Sequence, residues 1–232
     1  MQLVNGFLTA NAEHVVEINA LEFAAGRPVV DFSALDATFE RCSFRMLRLE
    51  EFVVGSGSSV SEYVDCVFDG MQADLLRGRA RFVRCSFRDV AFGRVSGRSI
   101  SLIDCVFTGV LEDAEFCARD VGGDGGENEF RGNDFSDADL QQVGFRYGID
   151  LSAQRLPEGG DYVYVADLDA GLAAARDAVL GWPAAQRDSA QEKIGIWTAE
   201  LESGQRQLLL RRSLWGTDEA GRGLLDLFGR LR

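Results

Sequence analysis

The chain has 232 residues, of which 46% are hydrophobic and 26% charged, and its formal net charge is −13. This is enough apolar material for one large or two small folded domains, and it excludes a globally disordered chain. No stretch approaches the roughly 18 apolar residues of a membrane span. The opening MQLVNGFLTANAEH lacks the basic-then-apolar order of a secretory signal, so a soluble cytoplasmic protein is expected.

Residues 1–27 come first. VVEINALEF (15–23) alternates as a strand does, and the segment reads as an N-terminal cap or an imperfect first coil. Stacked repeats need such a cover at their ends. His14 is the single histidine and belongs to no recognisable nucleophile motif, so no catalytic residue is assigned.

From 28 to 151 the chain repeats. Four lines align on cysteine: FERCSFRML (39–47), YVDCVFDGM (63–71), FVRCSFRDV (82–90) and LIDCVFTGV (102–110). A fifth, FRGNDFSDA (130–138), keeps the frame with Asn133 in the cysteine place. The cysteine steps are 24, 19 and 20 residues, and Cys105 to Asn133 is 28, so the unit is near 20 with insertions. Within it runs a period of five, clearest in NDFSD-ADLQQ-VGFRY (133–147). Large residues Phe135, Leu140 and Phe145 follow small or medium ones by two positions, as in Ala37/Phe39, Cys42/Phe44 and Cys85/Phe87. Five is neither the helical 3.6 nor the strand period of 2. A chain that turns a corner about every five residues closes a four-sided coil in about 20, with one large and one small residue per side pointing inward. Such coils stack at the usual strand spacing of about 4.8 Å.

The expected fold is therefore an all-β quadrilateral β-solenoid over 28–151, with loops at 55–61 and 118–129. Its structural core is Phe39, Cys42, Phe44, Cys66, Phe68, Phe82, Cys85, Phe87, Phe92, Cys105, Phe107, Phe135, Leu140 and Phe145. The cysteines number five, none forms a CxxC pair, and four fill the small inward position. They read as compact core groups and not as a zinc site or disulfide framework. Cys117 follows Phe116 and has no aromatic two places on. No metal or cofactor is expected.

Ala138-Asp139-Leu140 and Asn133-Asp134-Phe135-Ser136 resemble the consensus of the pentapeptide-repeat family: small residue, Asp or Asn, Leu or Phe, then Ser, Thr or Arg. The resemblance covers about half the chain and implies a right-handed solenoid. Cys42-Ser43-Phe44 and Cys105-Val106-Phe107 depart from it in lacking the acid.

GSGSSVS (55–61) reads as a flexible bulge. ARDVGGDGGENE (118–129) is a longer, acidic, glycine-rich loop without the closing glutamate of a calcium-binding EF-hand loop, so no metal is assigned to it. Binding residues concentrate on loops of rigid scaffolds. The partner-binding candidates are therefore Asp120, Asp124, Glu127 and Glu129, with Asp134, Asp137 and Asp139 beside them.

After 151 the period of five stops. Residues 152–166 read as a linker around LPEGGD, and 167–232 as a helical C-terminal domain. Asp167 or Asp169 caps a helix to about Gly181 with Leu168, Leu172, Ala175 and Val179 on one face, ended by Trp182-Pro183. A second helix from Asp188 or Ser189 carries Ile194, Trp197 and Leu201. Thr217 caps a last one bearing Leu224, Leu227, Phe228 and Leu231. Segment 193–215 is read as helix, with a hairpin turning at ESGQ as the alternative.

Residues 1–150 hold 25 acids and 14 bases; 151–232 hold 12 and 10. An acidic solenoid disfavours direct nucleic-acid binding, which wants a basic surface. A non-enzymatic protein-interaction module or scaffold is expected. The resemblance implies an alternative: some pentapeptide-repeat proteins imitate DNA on type II topoisomerases such as gyrase, and dimerise through C-terminal helices. Arg77, Arg79, Arg81, Arg84, Arg88, Arg94 and Arg98 form a basic band that would interrupt such an acidic face. A protein partner, possible homodimerisation through the C-terminal helices and no membrane complete the expectation.

Overall fold

The structure is a computed structural model and describes residues 2–4, 7–10, 31–120 and 126–231. His14, the alternating segment 15–23 and Asp124 lie outside the described residues. The chain divides into two compact units, Met1–Val143 with Ala153–Leu156, and Gly144–Ser152 with Pro157–Arg232.

The first unit is a β-solenoid of about four turns. Strands Gln2–Val4 and Phe7–Ala10 pair antiparallel, and the second pairs in parallel with Asp31–Ala34. From there each coil lays down four parallel ladders. The first side stacks Phe32, Phe52, Leu76, Val95 and Ala114; the second stacks Phe39, Tyr63, Phe82, Leu102 and Phe130. On the third side, bridges join Ser43, Val67, Ser86, Val106 and Asp134. Leu49, Ala73, Phe92, Leu111 and Leu140 make the fourth.

The period of five works as its chemistry requires. Phe44, Phe68, Phe87, Phe107 and Phe135 form one column with ring centroids 4.7–4.8 Å apart and planes within 10°. That interval is the rise of one coil, so the rings stack because the backbones do. Phe39, Tyr63 and Phe82 form a second column at 4.8 and 4.7 Å. Tyr63 fits there because its buried hydroxyl donates to the Val54 carbonyl at 2.9 Å. All fourteen expected core residues are buried. Phe145 is nevertheless grouped with the second unit, because the compact solenoid unit ends its main run at Val143.

Corners are made by left-handed backbone. Arg41, Asp65, Arg84, Asp104 and Gly132 stand one per coil, each with φ between 52° and 68°. Asp and Gly suit this region. The arginines are held there by bonds between coils, such as Arg84 N–H to the Ile103 carbonyl at 2.9 Å. At the next corner Gly70 has φ +71°, and a Cβ there would lie 2.4 Å from the Met46 sulfur of the coil before.

The second unit mixes α and β. Tyr162–Val165 pairs antiparallel with Leu208–Arg211. Both strands correct the sequence reading: the first lies in the stretch read as linker, the second in the segment read as helix. Their short alternating runs, YVYV and LLLR, bury every other residue, a pattern too brief to stand out from flanking helical periodicity. Four helices complete the unit: α1 Leu168–Val179, α2 Ala184–Glu202, α3 Arg212–Trp215 and α4 Glu219–Arg230. Asp167 caps α1 by accepting from Ala170 N–H at 3.0 Å. α2 starts earlier than expected, directly after Pro183, and α4 is capped by Asp218 in place of Thr217. Trp197, Phe228, Leu172 and Leu224 centre the core. Leu231, assigned to that core from its spacing, is 52% exposed just past the helix end.

Candidate functional site

Inside the solenoid the thiols form a hydrogen-bonded column. Three thiols donate to a carbonyl of the coil before: Cys66 to Phe39 at 3.5 Å, Cys85 to Tyr63 at 3.3 Å, Cys105 to Phe82 at 3.6 Å. Asn133 continues the pattern with its amide, donating to Leu102 at 2.8 Å, and its oxygen accepts from Cys105 N–H at 3.0 Å. Gln154 follows, accepting from Asn133 and donating to the Phe130 carbonyl at 3.0 Å. Burial pushes the Cys85 thiol far above its ordinary value, and the neighbouring thiol of Cys105 adds to this. The hydrogen bonds with Cys85 act the other way on its neighbours, lowering Cys66 and, against burial, Cys105, so the Cys85 thiol in the middle of the column is the one that stays protonated, and all of these thiols are buried in the packed core. Cys117 is buried as well. A residual void of about 20 Å³ lies among Leu76, Phe87, Phe92, Phe107 and other apolar side chains; ligand pockets run to several hundred Å³. Among the described residues no three His, Cys, Asp or Glu gather as a metal site.

The outer sides differ in charge. On the first three, acids meet arginines of adjacent coils. Arg77 pairs with Glu51, Arg94 with Asp113 at 3.3 Å, and Arg98 with Glu115 at 3.1 Å. Arg81 reaches both Glu62 at 4.0 Å and Glu129 at 3.1 Å, and Arg155 meets Asp134 at 2.9 Å. Arg84 grips Asp65 through two bonds, at 2.7 and 2.8 Å, and these hold the Asp65 carboxyl below its usual range. Five of the seven arginines of the basic band, Arg77, Arg81, Arg84, Arg94 and Arg98, are thereby paired with acids.

The fourth side is left acidic. Glu50, Asp74 and Glu112 occupy one outward column, in which Gly93 stands between Asp74 and Glu112 and Gln141 follows, with Asp89 and Asp137 at its leading corner, and all five acids are exposed. None of the five makes an ion pair among the described residues. Asp139 lies in the neighbouring column, and Asp69 accepts from Ser86 Oγ and Arg88 N–H at 2.6 and 3.0 Å. Among the described residues, Arg45, Arg48 and Arg88 also border this side.

Of the seven candidates named from the sequence, the six that lie among the described residues do not converge. Asp120 and Glu127 stand on the stem of the 118–128 hairpin, where Arg119 bridges Glu127 and Asn128 ties the stem to Arg98 and Cys117 carbonyls at 2.7 and 2.9 Å. Glu129 belongs to the second side and is neutralised by Arg81. Asp134 belongs to the third. Burial alone would raise its carboxyl, but hydrogen bonds from Ser136 and the charge of Arg155 outweigh burial and hold it low. Asp137 and Asp139 adjoin the acidic side. The strip residues Glu50, Asp74 and Glu112 escaped the sequence reading. Their signal is a fixed offset: Glu50 and Asp74 stand eight places after Cys42 and Cys66. Glu112 stands seven after Cys105, because the register shifts between Phe107 and Gly109.

The second unit carries an open groove of about 600 Å³ between α1 and α2, lined by Arg176, Val179, Leu180, Ile194, Gly195, Ala199 and Glu202 among others. No family model matches the chain, and no curated protein or solved structure matches it.

Proposed function

We propose that the chain is a non-enzymatic protein-interaction module of the pentapeptide-repeat kind, which offers the acidic fourth side of its solenoid to a basic surface on a protein partner. The observation that carries this reading is the uneven pairing of charge. Arginines neutralise three sides and spare the one where Glu50, Asp74, Asp89, Glu112 and Asp137 line up. Unpaired like charges on adjacent coils repel and cost stability, which is the mark of a surface kept for a complement. The rigid, filled interior supports it by placing recognition on the outside. Capture from a native lysate, followed by titration with the purified partner, tests it. A variant carrying Glu50→Gln, Asp74→Asn and Glu112→Gln is expected to bind at least about tenfold more weakly. Equal binding at low and high salt removes the reading.

DNA mimicry on a type II topoisomerase is the second reading, favoured by the same alignment. One acid per coil gives about one charge per 4.8 Å, against one per about 1.7 Å in duplex DNA. That roughly threefold dilution places mimicry behind a general basic partner. A gyrase supercoiling assay with no inhibition or protection at micromolar protein discards it. The helical unit is further proposed to meet a second copy of the chain.

A further inference from the structure

We infer that the groove between α1 and α2 docks a short amphipathic helix of a protein partner, one that carries an acid and a base a turn apart beside its apolar stripe. This site is separate from the acidic side of the solenoid and from any pairing of helical units through other faces.

The groove is long and shallow, and a glycine lies at its middle. On α2 its lining runs from Gln191 to Glu202, so at about 1.5 Å per residue it spans about 16 Å, or three helical turns. Val179 and Ile194 form an apolar floor, and Leu180, 68% exposed, stands at the rim. Gly195 lies inside the 19-residue α2, is exposed, and a Cβ built on it would meet nothing within 4 Å. Glycine weakens a helix interior, so the packing of α2 does not call for it. What it permits is the close approach of another backbone. Ala199, exposed one turn on, extends the same low track.

The backbone of the groove selects a helix as the occupant. At the end of α1, Leu180, Gly181 and Trp182 N–H groups donate to the carbonyls of Asp177, Ala178 and Val179 at 3.4, 3.3 and 3.1 Å. At the end of α2, Ser203, Gly204 and Gln205 donate to those of Ala199, Leu201 and Glu200 at 3.0 Å. Thr198 is engaged twice, donating to the Ile194 carbonyl at 2.7 Å and accepting from Arg176 at 2.8 Å. An extended segment laid over this floor would bury its own N–H and C=O groups without partners. A helix brings its backbone bonds with it and presents only side chains.

Charge then states what that helix carries. The lining holds one base, Arg176, and one acid, Glu202; both are exposed, and neither makes an ion pair among the described residues. The bond to Thr198 holds the guanidinium at that level of α2, and Glu202 stands four residues on, about 6 Å along the axis. A helix lying along the groove has positions four apart at the same interval. An acid facing Arg176 and a base facing Glu202 therefore fall one turn apart on its contact face. Its apolar residues lie beyond the acid, over Ile194 and Leu180.

The test uses the full chain and two synthetic helical peptides of about 14 residues. Each has an apolar stripe with a Glu and a Lys four apart, in the two orders that the two directions of docking require. Fluorescence anisotropy is expected to give a dissociation constant below about 100 μM for one of them. Gly195→Leu, which fills the track, and Arg176→Glu, which faces the peptide's acid, are each expected to weaken binding at least about tenfold. The same peptide with Lys in place of its Glu is expected to bind Arg176→Glu at least about tenfold better than it binds the wild type. Circular dichroism reports that every variant is folded. Binding of neither peptide overturns the inference, as does binding indifferent to Gly195→Leu or a charge-swapped peptide that does not prefer Arg176→Glu. So does sedimentation equilibrium in which the chain alone forms a dimer that Gly195→Leu abolishes, because the groove then belongs to a second copy. Binding of the acidic side to a basic partner is measured separately and survives any of these failures.

Discussion

Asn133 occupies the place where the four earlier coils carry Cys42, Cys66, Cys85 and Cys105. A thiol satisfies one carbonyl; at this level three groups need partners, the Leu102 carbonyl, the Cys105 N–H and the Gln154 oxygen. An amide meets all three because it both donates and accepts. Asn133→Ala is expected to cost about 3 kcal/mol in denaturant unfolding, since each buried group left unpaired costs about 1–3 kcal/mol. The five cysteines are all buried, so a thiol reagent should label none in the native protein and all five after unfolding. Asp218 is a second residue with a definite job. Its carboxylate takes Lys193 at 2.8 Å, Ser189 at 2.6 Å and Gly221 N–H at 2.7 Å, joining the chain's sole lysine on α2 to the cap of α4. Those bonds, that of Lys193 first, hold its carboxyl well below the usual range. A depressed carboxyl stabilises above its unfolded value, near pH 4, and loses that contribution as pH falls through its folded value. Asp218→Ala should therefore cost about 1 kcal/mol at neutral pH, and the gap from wild type in thermal melts should narrow below about pH 4.

Coils and helices draw their order from repetition and from close approach. The Phe column is cooperative in a simple sense: each ring touches the one above and the one below at 4.7–4.8 Å. Phe87→Ala removes two such contacts at once and should cost about 3–5 kcal/mol, whereas Phe87→Leu keeps most of the volume and should cost less than half of that. Gly221 shows the other constraint. A Cβ there would lie 1.8 Å from the Trp215 carbonyl oxygen, so α4 can start against α3 only without one. Gly221→Ala should destabilise the second unit, while Gly195→Ala, with open space around it, should stabilise it by about 1 kcal/mol. Calorimetry on the pair separates a glycine the fold needs from one it does not.

At the scale of the whole molecule, the distribution of charge matters more than its total. Arginines close ladders on three sides, and the fourth repels itself. Removing the charge from Glu50, Asp74 and Glu112 should therefore raise the melting temperature at low ionic strength, by an amount equivalent to about 1 kcal/mol, and the gain should shrink with salt. Neutralising Asp65, which Arg84 holds at 2.7 Å, should not. A surface that loses stability by keeping its acids, and loses binding when they are removed, has the trade-off of a functional site.

The spacing of large and small residues determined the solenoid without help. Phe44, Phe87, Phe107 and Phe135 had to face one axis because only a corner every five residues gives that period, and the buried thiols followed from it. The caps at Asp167 and the first helix were equally local. What lay beyond reach was everything set by register between distant residues. Glu50, Asp74 and Glu112 become one column only when insertions and the shift at Gly109 are resolved by coil-to-coil hydrogen bonds, and Arg81 finds Glu129 across 48 residues for the same reason. The strands Tyr162–Val165 and Leu208–Arg211 are each four residues long. Neither is stable alone, and their pairing exists because the helices between them bring their ends together.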